Sequence, residues 1–280
     1  MSRSTVAAAL AEGRDLGLDR LDVQLLLGHA LKRPRTWLLA HDDAELSCVE
    51  ITAWRALAAR RAAGEPTAYL LGTKEFHGLT LAVGPAVLVP RPETELLVAC
   101  GNDALRRGGS NGGRTGNLVD LGTGSGAVAL AIKASNPAAR VCASDDSSDA
   151  LELAGSNARR LGLDVDFRLG SWWEPWAGDR FDVAVSNPPY IASGDPHLAA
   201  LGYEPRHALV ASDEGLAALR AIVAAAAAHL RPEGWLWLEH GDRQADAVRG
   251  LLVNAGFDSI ETCLDLAGRT RCTGGRHPAA

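Results

Sequence analysis

Four consecutive residues, Asn187-Pro188-Pro189-Tyr190, bring together groups suited to holding a flat, neutral amino group. The Asn187 side chain offers a carbonyl acceptor, and the two prolines fix φ while contributing no backbone donors. Backbone carbonyls in such a segment face a pocket without N–H groups beside them, and Tyr190 adds an aromatic face for a planar guest. The apolar run from Phe181 to Val185 just before them reads as a buried strand, which puts the tetrapeptide at a strand end. Asn-Pro and Pro-Pro also make ordinary turns, so these four residues alone imply a holder and not yet a reaction.

A second constellation supplies the missing reactant. Asp120-Leu121-Gly122-Thr123-Gly124-Ser125-Gly126 lies between a strand-like Leu118-Val119-Asp120-Leu121 and a helical stretch from Ala127 to Ala134. Glycines at such a junction let the backbone turn sharply and approach a ligand closely. Asp145 ends the following strand about 20 residues on, where an acid accepts hydrogen bonds from ribose hydroxyls. The combination points to a cofactor containing adenosine. Its glycine spacing is not the G-x-G-x-x-G of dinucleotide sites, and an acid beside the loop would repel a pyrophosphate but attract an ammonium and a sulfonium. The segment resembles the first motif of the S-adenosylmethionine-dependent methyltransferases, which implies S-adenosyl-L-methionine held by Asp120, Gly122, Thr123, Gly124, Ser125, Gly126 and Asp145.

With a methyl donor in place, Asn187, Pro188, Pro189 and Tyr190 become the acceptor site. The tetrapeptide is similar to that of methyltransferases acting on amino groups conjugated to a planar system: adenine N6, cytosine N4 or glutamine N5. In all three the nitrogen lone pair is delocalised, and an amide resists rotation by roughly 18–20 kcal/mol. Acceptors on both N–H groups polarise and orient that nitrogen; we assign one to the Asn187 side-chain carbonyl and one to the Pro188 backbone carbonyl. Each such bond contributes only about 0.5–1.5 kcal/mol net, so positioning in a dry pocket carries more of the work. No strong base is needed, because the methylated nitrogen becomes acidic and sheds its proton late. His197, His207 and His240 accordingly read as surface or structural residues.

The elements that must position these groups follow from periodicity and breakers. Residues 1 to 70 read as a small helical domain, with Gly64-Glu65-Pro66 stopping its last long helix. Residues 71 to 90 read as a linking β-hairpin, Glu75 to Val83 and Ala86 to Val89, turning at Gly84-Pro85. Pro90 to Glu95 opens a helix with carboxylates in its first turn. Segment 110–116, rich in glycine, reads as an exposed mobile loop. From residue 91 to 280 strands and helices alternate: strands at 140–143, 165–169, 181–185, 235–239 and 259–264, helices at 148–161, 214–230 and 244–254. The tail from Gly274 reads as frayed. This is an α/β chain with a mostly parallel sheet, whose ligands bind at the carboxyl ends of the strands.

Longer stretches narrow the acceptor. Glu65-Pro66-Thr67-Ala68-Tyr69-Leu70-Leu71-Gly72, Glu75-Phe76-His77-Gly78-Leu79, Val89-Pro90-Arg91-Pro92-Glu93-Thr94-Glu95-Leu96-Leu97, Tyr203-Glu204-Pro205-Arg206-His207-Ala208-Leu209 and Leu238-Glu239-His240-Gly241 resemble the release-factor glutamine methyltransferases. That resemblance implies a Rossmann-like, seven-stranded methyltransferase sheet and transfer to glutamine N5 in the Gly-Gly-Gln motif of peptide chain release factors. It also implies that the helical domain recognises the release factor, and that Trp172 lies against the adenine and Asn187 also touches the cofactor. The related ribosomal-protein glutamine methyltransferases typically replace the segment matching Arg91 to Glu95; an adenine-N6 nucleic-acid enzyme or a non-catalytic binding module is a further alternative. One position departs from the family: Asp145-Asp146-Ser147-Ser148 stands for Asp-Ile-Ser-Pro, so Asp146 makes the adenine wall more polar and lowers the expected cofactor affinity.

Composition bounds the class of protein: an ordinary globular chain. At 280 residues the chain buries a full core, and a net charge of −6 argues against general affinity for nucleic acid. Its 5 cysteines are scattered without a Cys-x-x-Cys, which fits reduced thiols, no metal and a cytoplasmic setting. There is no signal-peptide core near the N-terminus and no run of membrane-spanning length.

Overall fold

A computed structural model describes residues 4–109 and 116–279, so the glycine-rich segment expected to be mobile lies, apart from Gly116, outside the described residues. The chain divides into two units: residues through Thr73 together with Ala200–Tyr203, and the remainder. In the first unit five helices, α1 (Val6–Asp15), α2 (Arg20–Leu31), α3 (Arg35–Ala40), α4 (Cys48–Ala62) and α5 (Thr67–Leu71), enclose a core of Val6, Val23, Leu26, Leu27, Leu38, Trp54 and Leu70. Their starts are encoded locally. Thr5 and Asp19 cap α1 and α2, and Ser47 with Glu50 forms a reciprocal capping box on α4.

Strands β1 (Thr73–Phe76) and β2 (Leu79–Ala82) precede the main sheet. They pair across His77-Gly78, both at positive φ (49° and 77°), as a tight two-residue hairpin turn requires. The chain does turn at Gly84-Pro85, where the Val87 N–H donates to the Gly84 carbonyl at 3.1 Å, but this is not the hairpin turn: Ala86 to Val89 forms no strand, and the hairpin reverses seven residues earlier, where two left-handed residues match strand twist.

The remaining elements alternate as α6 (Glu95–Gly109), β3 (Asn117–Leu121), α7 (Ala127–Ser135), β4 (Arg140–Asp145), α8 (Ser148–Leu161), β5 (Asp166–Leu169), β6 (Phe181–Ser186), the short β7 (Ile191–Ala192) and β8 (Val210–Ala211), α9 (Ala217–His229), β9 (Leu230–Glu239), α10 (Ala245–Asn254), β10 (Asp258–Leu264) and β11 (Thr270–Arg276). Seven of these strands form one sheet in the order β10-β11-β9-β6-β3-β4-β5, in which β11 alone runs against its neighbours. The expected α/β class and seven-stranded, mostly parallel sheet are as found. Strand order reverses beside β3, which pairs with both β4 and β6, and a crevice opens at such a switch point.

Helices cover both faces. Leu118, Val183, Val185, Trp235 and Trp237 pack with Leu97, Leu130 and Ile132 of α6 and α7 on one face. Val119, Leu121, Ala184, Leu236 and Leu238 pack with Trp176, Leu219, Ile222 and Leu252 on the other. Burial on both faces is why these strands read as continuous apolar runs. Two expectations need correcting at the C-terminal end. Gly274 to Arg276 is not frayed but forms the end of β11, hydrogen-bonded to β9. A Cβ on Gly274 would come within 2.3 Å of the Trp237 ring, so the glycine admits the indole instead of loosening the chain. The helix expected from Glu214 begins at Ala217, because Asp213 and Glu214 sit at φ 55° and 53° and break it.

Candidate active site

The turn after β3 carries one end of the site. Gly122 and Gly126 adopt φ of 75° and 82°, a region closed to most side chains. A Cβ on Gly122 would meet the Trp172 ring at 3.0 Å, and one on Gly126 would meet Leu130 and Ala154 at 3.0 and 3.2 Å. The backbone N–H groups of Gly122 and Thr123 both donate to the Ser144 carbonyl, at 2.8 and 2.9 Å, which ties the turn to β4. Asp120 is buried beneath it. Its Oδ2 accepts from the Thr123 hydroxyl at 2.7 Å and from the Ala129 N–H at 3.2 Å, while Oδ1 accepts no hydrogen bond among the described residues. Burial pushes its carboxyl up to about 7, against the pull of those two donors.

Asp145 closes β4 beside the turn. Burial raises its pKa too, opposed by the Gly124 N–H at 2.8 Å and the Ser147 N–H at 3.0 Å. Trp172 reaches over Gly122 from a left-handed backbone, φ 47°, its carbonyl held by the Ser144 hydroxyl at 2.9 Å.

The other end is Asn187 to Tyr190, directly after β6. Asn187 Nδ2 donates to the Thr94 hydroxyl at 3.2 Å, leaving its Oδ1 without a donor among the described residues. The buried Pro188 likewise offers a carbonyl that accepts no hydrogen bond among the described residues. Tyr190 is held twice: its hydroxyl donates to Glu239 Oε1 at 3.3 Å, and its carbonyl accepts from Gln244 Nε2 at 3.0 Å. Burial, then the nearby Glu239 charge, raise the Tyr190 phenol above its usual range. Gly215, at φ 88°, lies against this carbonyl so closely that a Cβ would stand 2.1 Å from it.

Between the two ends lies a cavity of about 230 Å³. Asp120, Gly122 to Ser125, Asp145, Asp146 and Trp172 border it on one side, and Thr94, Asn187 and Pro189 on the other. A cross-tie holds part of its lining: buried Glu204 pairs with Arg91 and accepts the Val89 N–H at 3.0 Å, fixing the segment from which His207 and Ala208 also border the cavity.

Known proteins resolve what this geometry belongs to. The PrmC N-terminal domain matches residues 4–72, and the methyltransferase small domain matches residues 94–202. The release factor glutamine methyltransferase of Bordetella pertussis is 48% identical over 264 residues, covering 93% of this chain and 96% of the relative. Its counterpart in Burkholderia pseudomallei is 49% identical over 270 residues, covering 93% of each. The chain belongs to the release factor glutamine methyltransferases. Solved structures share the fold at greater distance: a methyltransferase from Pyrococcus furiosus has a TM-score of 0.54 at 19% identity, covering 79% of this chain and 97% of its own. A Thermus thermophilus 16S rRNA methyltransferase, solved with AdoMet and guanosine, reaches 0.53 at 23% identity over 73% of this chain and 49% of its own.

As in any glutamine methyltransferase of this fold, two ligands must meet, and the cavity is shaped for one of them. Three carboxylates border it, whereas Arg91 is the only lysine or arginine among its described lining residues and is spoken for by Glu204. Such a lining suits a cofactor carrying positive charge, and the bare Asp120 Oδ1 suits its ammonium in particular. The sequence reading is met unevenly at the other end. Asn187 and Pro189 border the cavity, but Pro188 and Tyr190 lie outside its lining, with the Tyr190 hydroxyl turned to Glu239.

Three residues escaped that reading. His207, taken for a surface or structural residue, borders the cavity and eases the Asp145 charge. Thr94 and Glu239 lay inside segments quoted only for their family resemblance; a polar residue ending a buried strand was the one signal available for Glu239. His240, by contrast, is structural, its ring bonded to the Thr273 hydroxyl and the Gly241 carbonyl at 2.8 Å each and kept neutral by burial. His197 is exposed beside Asp195. Among the described residues no cluster of three or more His, Cys, Asp or Glu is placed to hold a metal ion, and no helix is long and apolar enough to cross a membrane.

Proposed function

We propose that this protein transfers a methyl group from S-adenosyl-L-methionine to the side-chain N5 of the glutamine in the Gly-Gly-Gln motif of peptide chain release factors. The observation that carries the reading is a pair of acceptors with no donor among the described residues: Asn187 Oδ1, on a residue that borders the acid-lined cavity, and the carbonyl of Pro188, next in the chain. A primary amide presents two N–H donors in one plane, and two acceptors at a strand end match them. When bound, the cofactor supplies an electrophilic methyl on a positively charged sulfur.

Every other part is played by the chain. Gly122 and Gly124 let the backbone approach the cofactor closely, Asp145 accepts its ribose hydroxyls, Asp120 faces its ammonium and Trp172 walls its adenine. Asn187 and Pro188 take the two amide hydrogens, turning the nitrogen so that its lone pair faces the methyl and drawing density onto it. Burial around the tetrapeptide keeps water from competing for those acceptors. The proton leaves after transfer, when the nitrogen has become acidic, and passes to solvent. Orientation is therefore the main contribution; well-aligned reacting groups gain up to about 7–11 kcal/mol over free encounter.

The helical first unit recognises the body of the release factor in this reading, a role supported by its separate core and its family match over residues 4–72. The reading takes protein as the substrate, and the net charge of −6 argues against general affinity for nucleic acid. The test offers an intact release factor and DNA together with labelled cofactor, and locates the product by mass spectrometry. Label on the Gly-Gly-Gln glutamine is expected. An unmodified glutamine, or label on DNA alone, refutes the assignment.

A further inference from the structure

Glu239 ends β9 as a charged group that the chemistry above does not use, although it is only 1% exposed. Its Oε1 takes the Tyr190 hydroxyl, and its Oε2 has no hydrogen-bond partner. A buried carboxylate so poorly served is costly, and folds keep one where it acts on something.

The sheet explains what it acts on. β6 and β9 run parallel with Val185 opposite Trp237 and Ser186 opposite Leu238, so one further step of the register carries Asn187 alongside Glu239. Trp237 and Val185 pack on the face covered by α6, and Thr94 sits just before that helix. Its hydroxyl accepts Asn187 Nδ2 and also faces the Glu239 carboxyl, favouring the charged form without closing a full bond.

A threonine hydroxyl between an amide and a carboxylate has one hydrogen to give. The carboxylate, whose Oε2 still has no partner, is the stronger acceptor for it, which leaves only lone pairs for Asn187, presenting Nδ2 to Thr94 and Oδ1 to the substrate. A neutral donor at position 239 reverses this. It gives a hydrogen to Thr94, frees the threonine hydrogen for Asn187 Oδ1, and turns the amide so that NH₂ meets the NH₂ of the incoming glutamine.

We infer that Glu239 is a positioning residue: through Thr94 it sets which end of the Asn187 amide faces the methyl acceptor, and through the Tyr190 hydroxyl it steadies the rest of the tetrapeptide. The inference rests on the function proposed above. It also makes the orientation sensitive to pH, because burial pushes Glu239 up to about 7, with Thr94 and Tyr190 opposing. The charged and titratable groups facing it are Tyr190 after β6, Glu93 before α6, and Arg271 and Cys272 on β11, with Cys272 directly opposite.

The test uses the full chain as wild type, E239Q, T94V and the double variant. E239Q is expected to keep cofactor affinity and the release-factor KM while kcat falls by up to about 100-fold, the scale of a small misplacement at the reacting centre. The rise of kcat with pH near neutrality disappears with it. T94V gives a similar loss, and the double variant loses no more than the worse single, because both act through one chain of contacts. In the free protein, the Asn187 side-chain amide resonances shift with pH around neutrality in wild type and stay flat in E239Q. Wild-type kcat in E239Q or T94V, additive losses, or Asn187 resonances indifferent to both pH and substitution each overturn the inference. If wild type fails to methylate the release factor, the proposed function falls instead, and the Asn187 resonances decide the inference alone. Should E239Q not fold, T94V carries both readouts.

Discussion

The two ends of the cavity are built by different means. At the cofactor end, one short turn and one acid suffice: Gly124 and Asp145, 21 residues apart, bond directly, and Asp120 bonds within its own turn and the helix that follows. At the acceptor end every partner is distant in the chain. Asn187 leans on Thr94 across 93 positions, and Tyr190 on Glu239 and Gln244 across 49 and 54. The first end is a local motif that folds with its own βα unit, whereas the second exists only once α6, β6, β9 and α10 have assembled. Binding the donor is thus a property of a segment, and choosing the acceptor is a property of the whole sheet.

Substitutions separate the ends. The largest effect is expected for Asn187→Ala, which removes an acceptor used most fully in the transition state: turnover on a release factor should fall by about 100-fold or more, measured by mass spectrometry. Cofactor affinity, measured by calorimetry, should change far less; a matching loss there would mean that the ends are not separable. Asp145→Asn should do the reverse. Losing charge-assisted bonds to the ribose weakens cofactor binding by about 10-fold or somewhat more, with kcat at saturation nearly kept.

Asp146→Ile should sharpen the contrast with a smaller gain. Asp146 borders the cavity but is exposed, and exchanging it for an apolar side chain should tighten cofactor binding by about threefold without changing kcat. The smallest effect is on stability. Asp120 and Glu239 have folded-state values of about 7, above their ordinary ranges, so the folded protein holds these protons more tightly than the unfolded chain. Their contribution to stability therefore declines as pH rises from about 4.5 to about 7. Thermal midpoints of wild type and the Asp120→Asn/Glu239→Gln variant, followed from pH 5 to pH 8, should diverge in the variant's favour as pH increases. A constant gap would show that the two carboxyls titrate normally.

The same contrast governs what could be read from the chain. Leu118 to Leu121 and Phe181 to Val185 announced themselves because central parallel strands are apolar throughout, and the Gly122 turn because its glycines and acid are neighbours in sequence. β11 did not: Thr270-Arg271-Cys272-Thr273-Gly274-Gly275-Arg276 is polar and glycine-bearing, and its glycines make sense only beneath Trp237 and Phe257. The hairpin turn was misplaced because Gly84-Pro85 is the louder breaker, while His77-Gly78 depends on two left-handed residues in succession. Asn187 was legible as a chemical group, but its partners Thr94 and Glu239 were not, since nothing local records a sheet register. His207 was missed for the same reason, being carried to the cavity by a segment that Glu204 fastens to Arg91 and Val89.

Gly215 gives this assembly an evolutionary consequence. It does not border the cavity, yet with a Cβ 2.1 Å from the Tyr190 carbonyl and a backbone at φ 88° the position admits no other amino acid without displacing the tetrapeptide. Natural variation should therefore be frozen at a site with no chemistry of its own. A lineage drifting toward a different planar acceptor would keep this glycine and diversify around the rim instead, so the substrate range can change only where the sheet does not already dictate the answer.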